Sequence, residues 1–318
     1  MRKTWLFTLF GIALLVCAAV VANAVHLFAA TPRGTITAAY VPSGYYLPFL
    51  IAEDKGYFRD EGYNVELKRF NDNSLMINTF INGQLDVTAQ SAFTMFPIEQ
   101  SVPGHFKFVY GQMANSYFFL VPSNSGVRSI ADLKGHIIGT WQSPTAVAFI
   151  NLILKSQGVT SDQVTIKRFG ASDVAGALAN HTVDAVFLFD VQAESLVQNF
   201  KARYVQPDAI QKIDPSSAIG VFNGGAMVNS TLLKSDPAKA KAIQTALLRA
   251  IDYIRAHPSE VRKELAKKLG VTLSNYDTIK LDVFDPISPK TIAAASSTQA
   301  LLLANGVVTH QISVKSLF

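Results

Sequence analysis

Short apolar runs of strand length alternate with helical patterns along most of this chain, and that order limits the fold more than any other feature. ITAAYV (36–41) precedes a helical pattern that starts near Pro48 and ends near Lys55-Gly56. VELKRF (65–70), a helix through LMINTFIN and the run DVTAQ (86–90) follow. After a short helix come KFVYGQM (107–113), FFLVPS, HIIGTW and a helix over 144–157 closed by Gly158. VTIKRF (164–169), a helix over 172–180, DAVFLF and one more helix complete this part. A βαβα order predicts an α/β protein with mostly parallel sheets. Residues 237–269 and 289–304 read as purely helical, because AKAKAIQTALLRAIDYIRA carries its apolar residues at helical spacing.

The pattern occurs twice. Asn64–Val87 (NVELKRFNDNSLMINTFINGQLDV) and Gln163–Val186 (QVTIKRFGASDVAGALANHTVDAV) both run strand, KRF, helix, Asn, short turn, Asp, strand, with one gap. Either two βαβ units look alike, or the chain holds two lobes of similar architecture about 100 residues apart. With 318 residues the chain is long enough for two domains, each with its own core. Two α/β lobes in one chain create a cleft, the usual place for a small ligand.

The N-terminus departs from this composition. Arg2 and Lys3 precede an apolar run from Trp5 to Ala22, and Ala22-Asn23-Ala24 follows. These are the parts of a secretory signal, on a run just long enough to span a bilayer. Residues 1–30 are therefore expected to be a signal peptide or an N-terminal anchor. The one cysteine, Cys17, lies inside the run, behind Val16 rather than the small residue that precedes a lipidated cysteine. Removal of the segment would leave a protein without disulfide or thiolate chemistry. Net charge is +5 with scattered basic residues, which does not support nucleic-acid binding.

In α/β sheets, ligands sit outside the carboxyl ends of the strands. Five post-strand turns are thus of interest: SGYYLP (43–48), QSAFT (90–94), TWQSPT (140–145), FDVQAE (189–194) and FNGGAM (222–227). Ser143 suits an N-cap and Pro144 the first helical position, leaving the N–H groups of Thr145 and Ala146 open to a polar ligand group. Trp141 and Gln142 beside them offer an apolar wall and a hydrogen-bonding arm, or else Trp141 is core. Gln90-Ser91 repeats that pattern. Tyr45 and Tyr46 either stack on a planar ligand or bury with satisfied hydroxyls. Asp190 either orients a ligand or caps the next helix. Asn223 heads Asn223-Gly224-Gly225, where the backbone approaches a ligand closely or makes a flexible connection. The candidate ligand-binding set is Tyr45, Tyr46, Gln90, Ser91, Trp141, Gln142, Ser143, Thr145, Asp190 and Asn223.

IAEDKGYF, FINGQLDVTAQ, SIADLKGHIIGTWQSPT and VDAVFLFD, in this order and spacing, resemble the solute-binding proteins of ABC importers for nitrate, sulfonates, taurine and thiamine-type pyrimidines. The likeness covers roughly residues 36–305, and D-L-K-G-x-x-I-G before a Ser/Thr-rich helix start is its best single marker. It implies the type II periplasmic-binding-protein fold: two Rossmann-like lobes joined by two crossover strands. Lobe one would be 35–117 plus 224–318, and lobe two 118–223. It further implies an exported monomer, periplasmic or on the outer face of the cytoplasmic membrane, that captures a small solute and docks on an inner-membrane permease. The proline that relatives carry after the last lobe-two strand is absent from Phe189-Asp190-Val191. The five turns contain no Lys or Arg, which suits a planar neutral or weakly basic solute at least as well as a sulfonate. Arg69 and Arg168, near strand ends, could supply positive charge or be surface residues.

An enzyme is the competing class. Pyrimidine synthases of the thiamine pathway resemble this chain in pattern but carry a cysteine-rich motif, and porphobilinogen deaminases attach their cofactor to a cysteine; here only Cys17 exists. No G-x-S-x-G elbow, P-loop or H-E-x-x-H motif is present, and His26, His105, His136, His181, His257 and His310 suggest no triad. Asp190 and Glu194 lie four apart, one expected to cap and the other to be solvated. No catalytic residue, metal or cofactor is expected. A membrane-tethered sensor or adaptor of the same fold is the other alternative.

Overall fold

The computed structural model describes residues 31–170, 173–214, 217 and 219–318, so the expected leader and the start of the helix placed at 172 lie outside the described residues. The first sheet has the order β2-β1-β3-β11-β4, built from β1 (Thr35–Tyr40), β2 (Asn64–Arg69), β3 (Val87–Gln90), β4 (Phe106–Phe108) and β11 (Gly225–Asn229). The second has the order β10-β6-β9-β7-β8, from β6 (Tyr117–Pro122), β7 (Ile137–Trp141), β8 (Thr165–Phe169), β9 (Ala185–Phe189) and β10 (Ala202–Val205). Read from β8, the second sheet repeats the first position by position, and the two echoed segments become β2-helix-β3 and β8-helix-β9. A small antiparallel pair joins β5 (Gly111–Met113), which lies between β4 and β6 in sequence, to β12 (Val283–Asp285) in the C-terminal segment.

The sheets are mixed rather than mostly parallel. In each, three strands from βαβ units run parallel, while the fourth arrives from the other half of the chain. β11 is antiparallel to β3 and β4, and β6 is antiparallel to β9 and β10. A strand that enters directly from a crossing, without a helical return, has no reason to run parallel to its neighbour. The crossings themselves pair: Ala114 N–H donates to Val221 O at 2.9 Å, Gln112 N–H to Gly224 O at 2.8 Å and Asn223 N–H to Gln112 O at 2.7 Å. Only the Met113–Phe222 bridge is regular there, so the second crossing is an extended segment rather than a strand.

Helices cover both sheets. α1 (Leu47–Asp54), α2 (Tyr57–Asp60), α3 (Asn73–Ile81) and α4 (Ala92–Ser101) follow the first strands. α5 (Pro144–Ser156), α6 (Val174–Ala179) and α7 (Asp190–Phe200) serve the second sheet. α8 (Ser230–Ser235), α9 (Pro237–Ala256), α10 (Pro258–Lys268) and α11 (Pro289–Ala304) form the C-terminal segment. The single helix expected over 237–269 is two, because Pro258 cannot donate to the carbonyl four residues back and instead opens α10. The strand expected over 107–113 also divides. A Cβ on Gly111 would lie 2.4 Å from Thr291 Cγ2, so the chain turns there against α11. Phe49, Phe80, Phe96, Phe119, Phe149, Phe187 and Phe222 are all fully buried in one cluster that reaches both sheets. Among the described residues no helix is long and apolar enough to cross a membrane.

Gly224 explains its own position. It has φ +100°, and a Cβ there would lie 2.1 Å from Gln90 O and 2.7 Å from Ala92 N. The close approach considered for the Gly224-Gly225 pair is thus an approach to the protein's own backbone. Gly224→Ala is expected to destabilise the protein by about 2–4 kcal/mol, read as a lower urea midpoint. An unchanged midpoint would show that this contact is not required.

Candidate functional site

A cavity of about 380 Å³ lies at the carboxyl ends of β1, β3, β7 and β9, between the two sheets. Nine of the ten candidate residues line it: Tyr45, Tyr46, Gln90, Ser91, Trp141, Gln142, Ser143, Thr145 and Asp190. Asn223 does not. It is fully buried behind the wall, where Oδ1 accepts from Ser91 Oγ at 2.8 Å and Nδ2 donates to Tyr117 Oη at 3.0 Å. Its carbonyl accepts from Tyr45 Oη at 2.8 Å. Asn223 therefore holds the wall residues and has no surface for a ligand.

Local chemistry sets each side chain. Ser91 caps α4, accepting from Phe93 N–H at 3.2 Å while donating to Asn223. Ser143 occupies the N-cap of α5 with extended backbone, yet its hydroxyl makes no capping bond. The first turn of α5 thus keeps unsatisfied N–H groups beside the cavity. Thr145 Oγ1 and Thr94 Oγ1 meet at 2.9 Å, and Phe93 and Phe149 pack with ring centroids 4.3 Å apart, so α4 and α5 touch across the cleft. Trp141 is half-buried and serves two purposes. It stacks on Phe187 with planes 8° apart and centroids 6.0 Å apart, and it also lines the cavity. Tyr46 is buried and donates to Ala89 O at 3.0 Å. Burial raises the Tyr45, Tyr46 and Tyr117 phenols, so each is a neutral hydroxyl at any ordinary pH.

Asp190 is the strained member. As the first residue of α7 it has φ +35°, a region L-residues avoid at a cost of about 1–3 kcal/mol. The turn from β9 into α7 is made in that single residue, and it aims the carboxylate at backbone donors. Oδ1 accepts from Val191 N–H, and Oδ2 accepts from Gly44 N–H at 3.0 Å. Gly44 precedes α1, so this bond joins the two sides of the cleft. A Cβ at Gly44 would lie 2.8 Å from Asp190 Oδ2, which is why the approach needs glycine. Burial pushes the Asp190 carboxyl up to about 7, against the pull of the Val191 and Gly44 N–H groups, and the nearby Asp282 raises it further. Glu194, expected to be solvated if Asp190 caps, is instead buried and accepts from Tyr204 Oη at 2.7 Å, away from the cavity.

Asp282, Tyr117 and Gln192 are among the lining residues outside the candidate set. Asp282 comes from the loop after α10. Its Oδ1 accepts from Asn115 N–H (2.8 Å), Ser116 N–H (3.0 Å) and Ser116 Oγ (2.7 Å). Its Oδ2 accepts from Gln112 Nε2 (3.0 Å) and Asn223 Nδ2 (3.4 Å). Tyr117 starts β6 and stacks on Phe149 with centroids 4.9 Å apart. Gln192 lies two residues beyond Asp190, in the first turn of α7, and its Oε1 is buried without a partner among the described residues. Only Gln192 had a local signal, its place in the FDVQAE turn. None of the described residues lining the cavity is a lysine, arginine or histidine, whereas Asp72, Asp190 and Asp282 all line it. Arg69 and Arg168 are exposed and line no part of it. Among the described residues no cluster of His, Cys, Asp and Glu is arranged to hold a metal ion.

The raised Asp190 pKa fixes a sign. The folded protein holds this proton more tightly than the unfolded chain, whose Asp190 has the ordinary value of 3.8. The stability Asp190 contributes is therefore full below about pH 4 and lost as pH rises through about 7. Between pH 5 and pH 8 the melting temperature of the wild type is expected to fall by about 5 °C relative to Asp190→Asn. Parallel melting curves would show instead that Asp190 is ionised throughout.

The chain matches known proteins over most of its length. Over 250 residues it is 26% identical to a protein of Aspergillus parasiticus named 4-amino-5-hydroxymethyl-2-methylpyrimidine phosphate synthase, covering 74% of this chain and 70% of that one. A Brucella abortus protein named as a binding protein is 23% identical over 230 residues, with 72% and 69% covered. Among solved structures, the alkanesulfonate-binding protein SsuA of Xanthomonas axonopodis pv. citri, bound to MOPS, superposes with a TM-score of 0.73 at 16% identity, covering 91% of this chain and 99% of that one. This last likeness establishes the two-lobed periplasmic-binding-protein fold. The NMT1/THI5-like family model matches residues 43–261, and the chain belongs to that family.

Proposed function

We propose that this protein is the extracytoplasmic solute-binding component of an ABC importer, and that its solute is a small planar amine-bearing heterocycle of the aminopyrimidine type. The lining of the cavity carries the reading: three carboxyl groups, an orphaned amide oxygen and aromatic walls, with no basic side chain among the described residues. A sulfonate brought there would meet Asp190 and Asp282 without a countercharge. An aminopyrimidine supplies the opposite set. Its amino group donates to Asp190 and to Gln192 Oε1, and its ring nitrogens accept from the uncapped first turn of α5. Its flat ring lies against Trp141 and Tyr45.

The mechanism is capture and release. The solute touches residues of both sheets, favours the closed arrangement by its greater affinity for it, and the closed form docks on a membrane permease. Relatives named as pyrimidine phosphate synthases and as binding proteins are both in keeping with a protein that binds a pyrimidine.

Titration with 4-amino-5-hydroxymethyl-2-methylpyrimidine should raise the melting temperature of residues 31–318 by several degrees, since ligand at a hundred times its Kd adds about 2.7 kcal/mol. Trp141→Ala should weaken that binding tenfold or more, about 1.4 kcal/mol. A shift with alkanesulfonates or taurine and none with aminopyrimidines would reverse the assignment. Turnover of the bound pyrimidine would move the protein to the enzyme class.

A further inference from the structure

A second cavity, of about 310 Å³, lies beside the first. The two share one wall residue, Asp282, so the loop that carries it is the partition between them. Their electrostatics are opposite. Arg255, Arg262 and Lys280 line the second cavity, and its single carboxylate is Asp282, whose oxygens already hold five donors from the crossing segments. Arg255 is paired with Asp285 at 3.0 Å and donates to Phe284 O at 2.7 Å. Arg262 uses Nε on Ile279 O at 2.9 Å, while its two Nη groups have no partner among the described residues. The Lys280 ammonium has none either. Arg262 and Lys280 thus face one cavity whose other lining residues are the apolar Ile254, Pro258, Leu281, Val283 and Phe284, with Asn115 beside them. Val283 is 49% exposed, because it alternates with the buried Phe284 along the strand and so turns its side chain to the open face.

We infer that this cavity is a second ligand site, for a small amphipathic anion. Arg262 and Lys280 take an anionic headgroup such as a carboxylate, and Ile254, Leu281 and Val283 take a short apolar chain. Two cations on an apolar wall match that ligand as the acidic, aromatic cleft matches an amine. The site differs from the cleft in charge and, apart from the shared Asp282, in residues, and it does not depend on the solute assigned there. Because Leu281 and Val283 flank Asp282, an occupant braces the loop that holds both crossing segments.

Octanoate is a suitable probe, with inorganic phosphate to test the headgroup alone. Calorimetric titration of the wild type should show saturable octanoate binding and at most weak phosphate binding. Arg262→Ala with Lys280→Ala should lower octanoate affinity tenfold or more, and Trp141→Ala should leave it unchanged. Lys280→Glu serves as the second variant, because its side chain has no bond whose loss could unfold the protein, and it should weaken octanoate at least as much as the alanine change. Absence of saturable binding, or equal affinity in the lysine and arginine variants, overturns the inference. Loss of octanoate binding in Trp141→Ala overturns it too, and would place the anion in the cleft, against the aminopyrimidine assignment. Failure of aminopyrimidine binding alone leaves the second site standing.

Discussion

One buried carboxylate holds the centre of this structure. Asp282 is 8% exposed, and a carboxyl group so placed is costly unless its lone pairs are filled. They are filled from both crossings: Gln112, Asn115 and Ser116 lie on the first and Asn223 on the second. Burial still raises the Asp282 carboxyl, with these donors pulling it down. The chain of bonds continues into the cleft. Asn223 holds Ser91, Ser91 caps α4, and α4 meets α5 through Thr94 and Thr145. A residue near the C-terminus thereby fixes the two places where the chain passes between sheets, and through them the floor of the cavity. Loss of the Asp282 charge would leave several buried N–H and O–H groups short of acceptors at once, so its effects would not add as independent contacts do.

The sheets show which features of the fold were legible in the sequence. The repeat of KRF, helix and Asp in two segments marked equivalent strands, and β2/β8 and β3/β9 do occupy equivalent positions. Alternation of strand and helix could not reveal direction, because β6 and β11 enter from crossings and carry no helix to announce the change. Pro258 and Gly111 were visible as residues, but their consequences depend on packing. A proline after a long amphipathic pattern either kinks a helix or starts a new one, and Gly111 matters because α11 lies 2.4 Å from where its Cβ would be.

The cleft follows the same division. Post-strand turns brought nine candidates to one cavity because the carboxyl ends of parallel strands converge there whatever the side chains are. Asn223 was placed by the same rule and lies behind the wall, since Gly224 packs so close to Gln90 and Ala92 that its predecessor has no room to reach the cavity. Ser143 met the positional requirement of a cap without making the bond. Asp282 gave no local signal, as its partners are about 60 to 170 residues away and its loop has no periodicity. Long-range polar networks of this kind are set by tertiary approach, which a pattern of residue types does not encode.

The backbone strain at Asp190 ties these observations together. A φ of +35° persists only where surrounding contacts outweigh it, and here the surrounding contacts span the cleft. Gly44 N–H reaches Asp190 from the first sheet, and any side chain at Gly44 would push the two apart. The bond crosses the cleft, so separating its two sides would expose the Asp190 carboxyl to water and return its pKa toward the ordinary value. On the proposed capture mechanism, closure without a solute would be accompanied by proton uptake between about pH 4 and pH 7. A cationic solute neutralises the same carboxylate without that proton. On the proposed capture mechanism, an acidic cleft that closes would favour a ligand bringing positive charge or N–H donors, and the same linkage would disfavour one bringing a second negative charge.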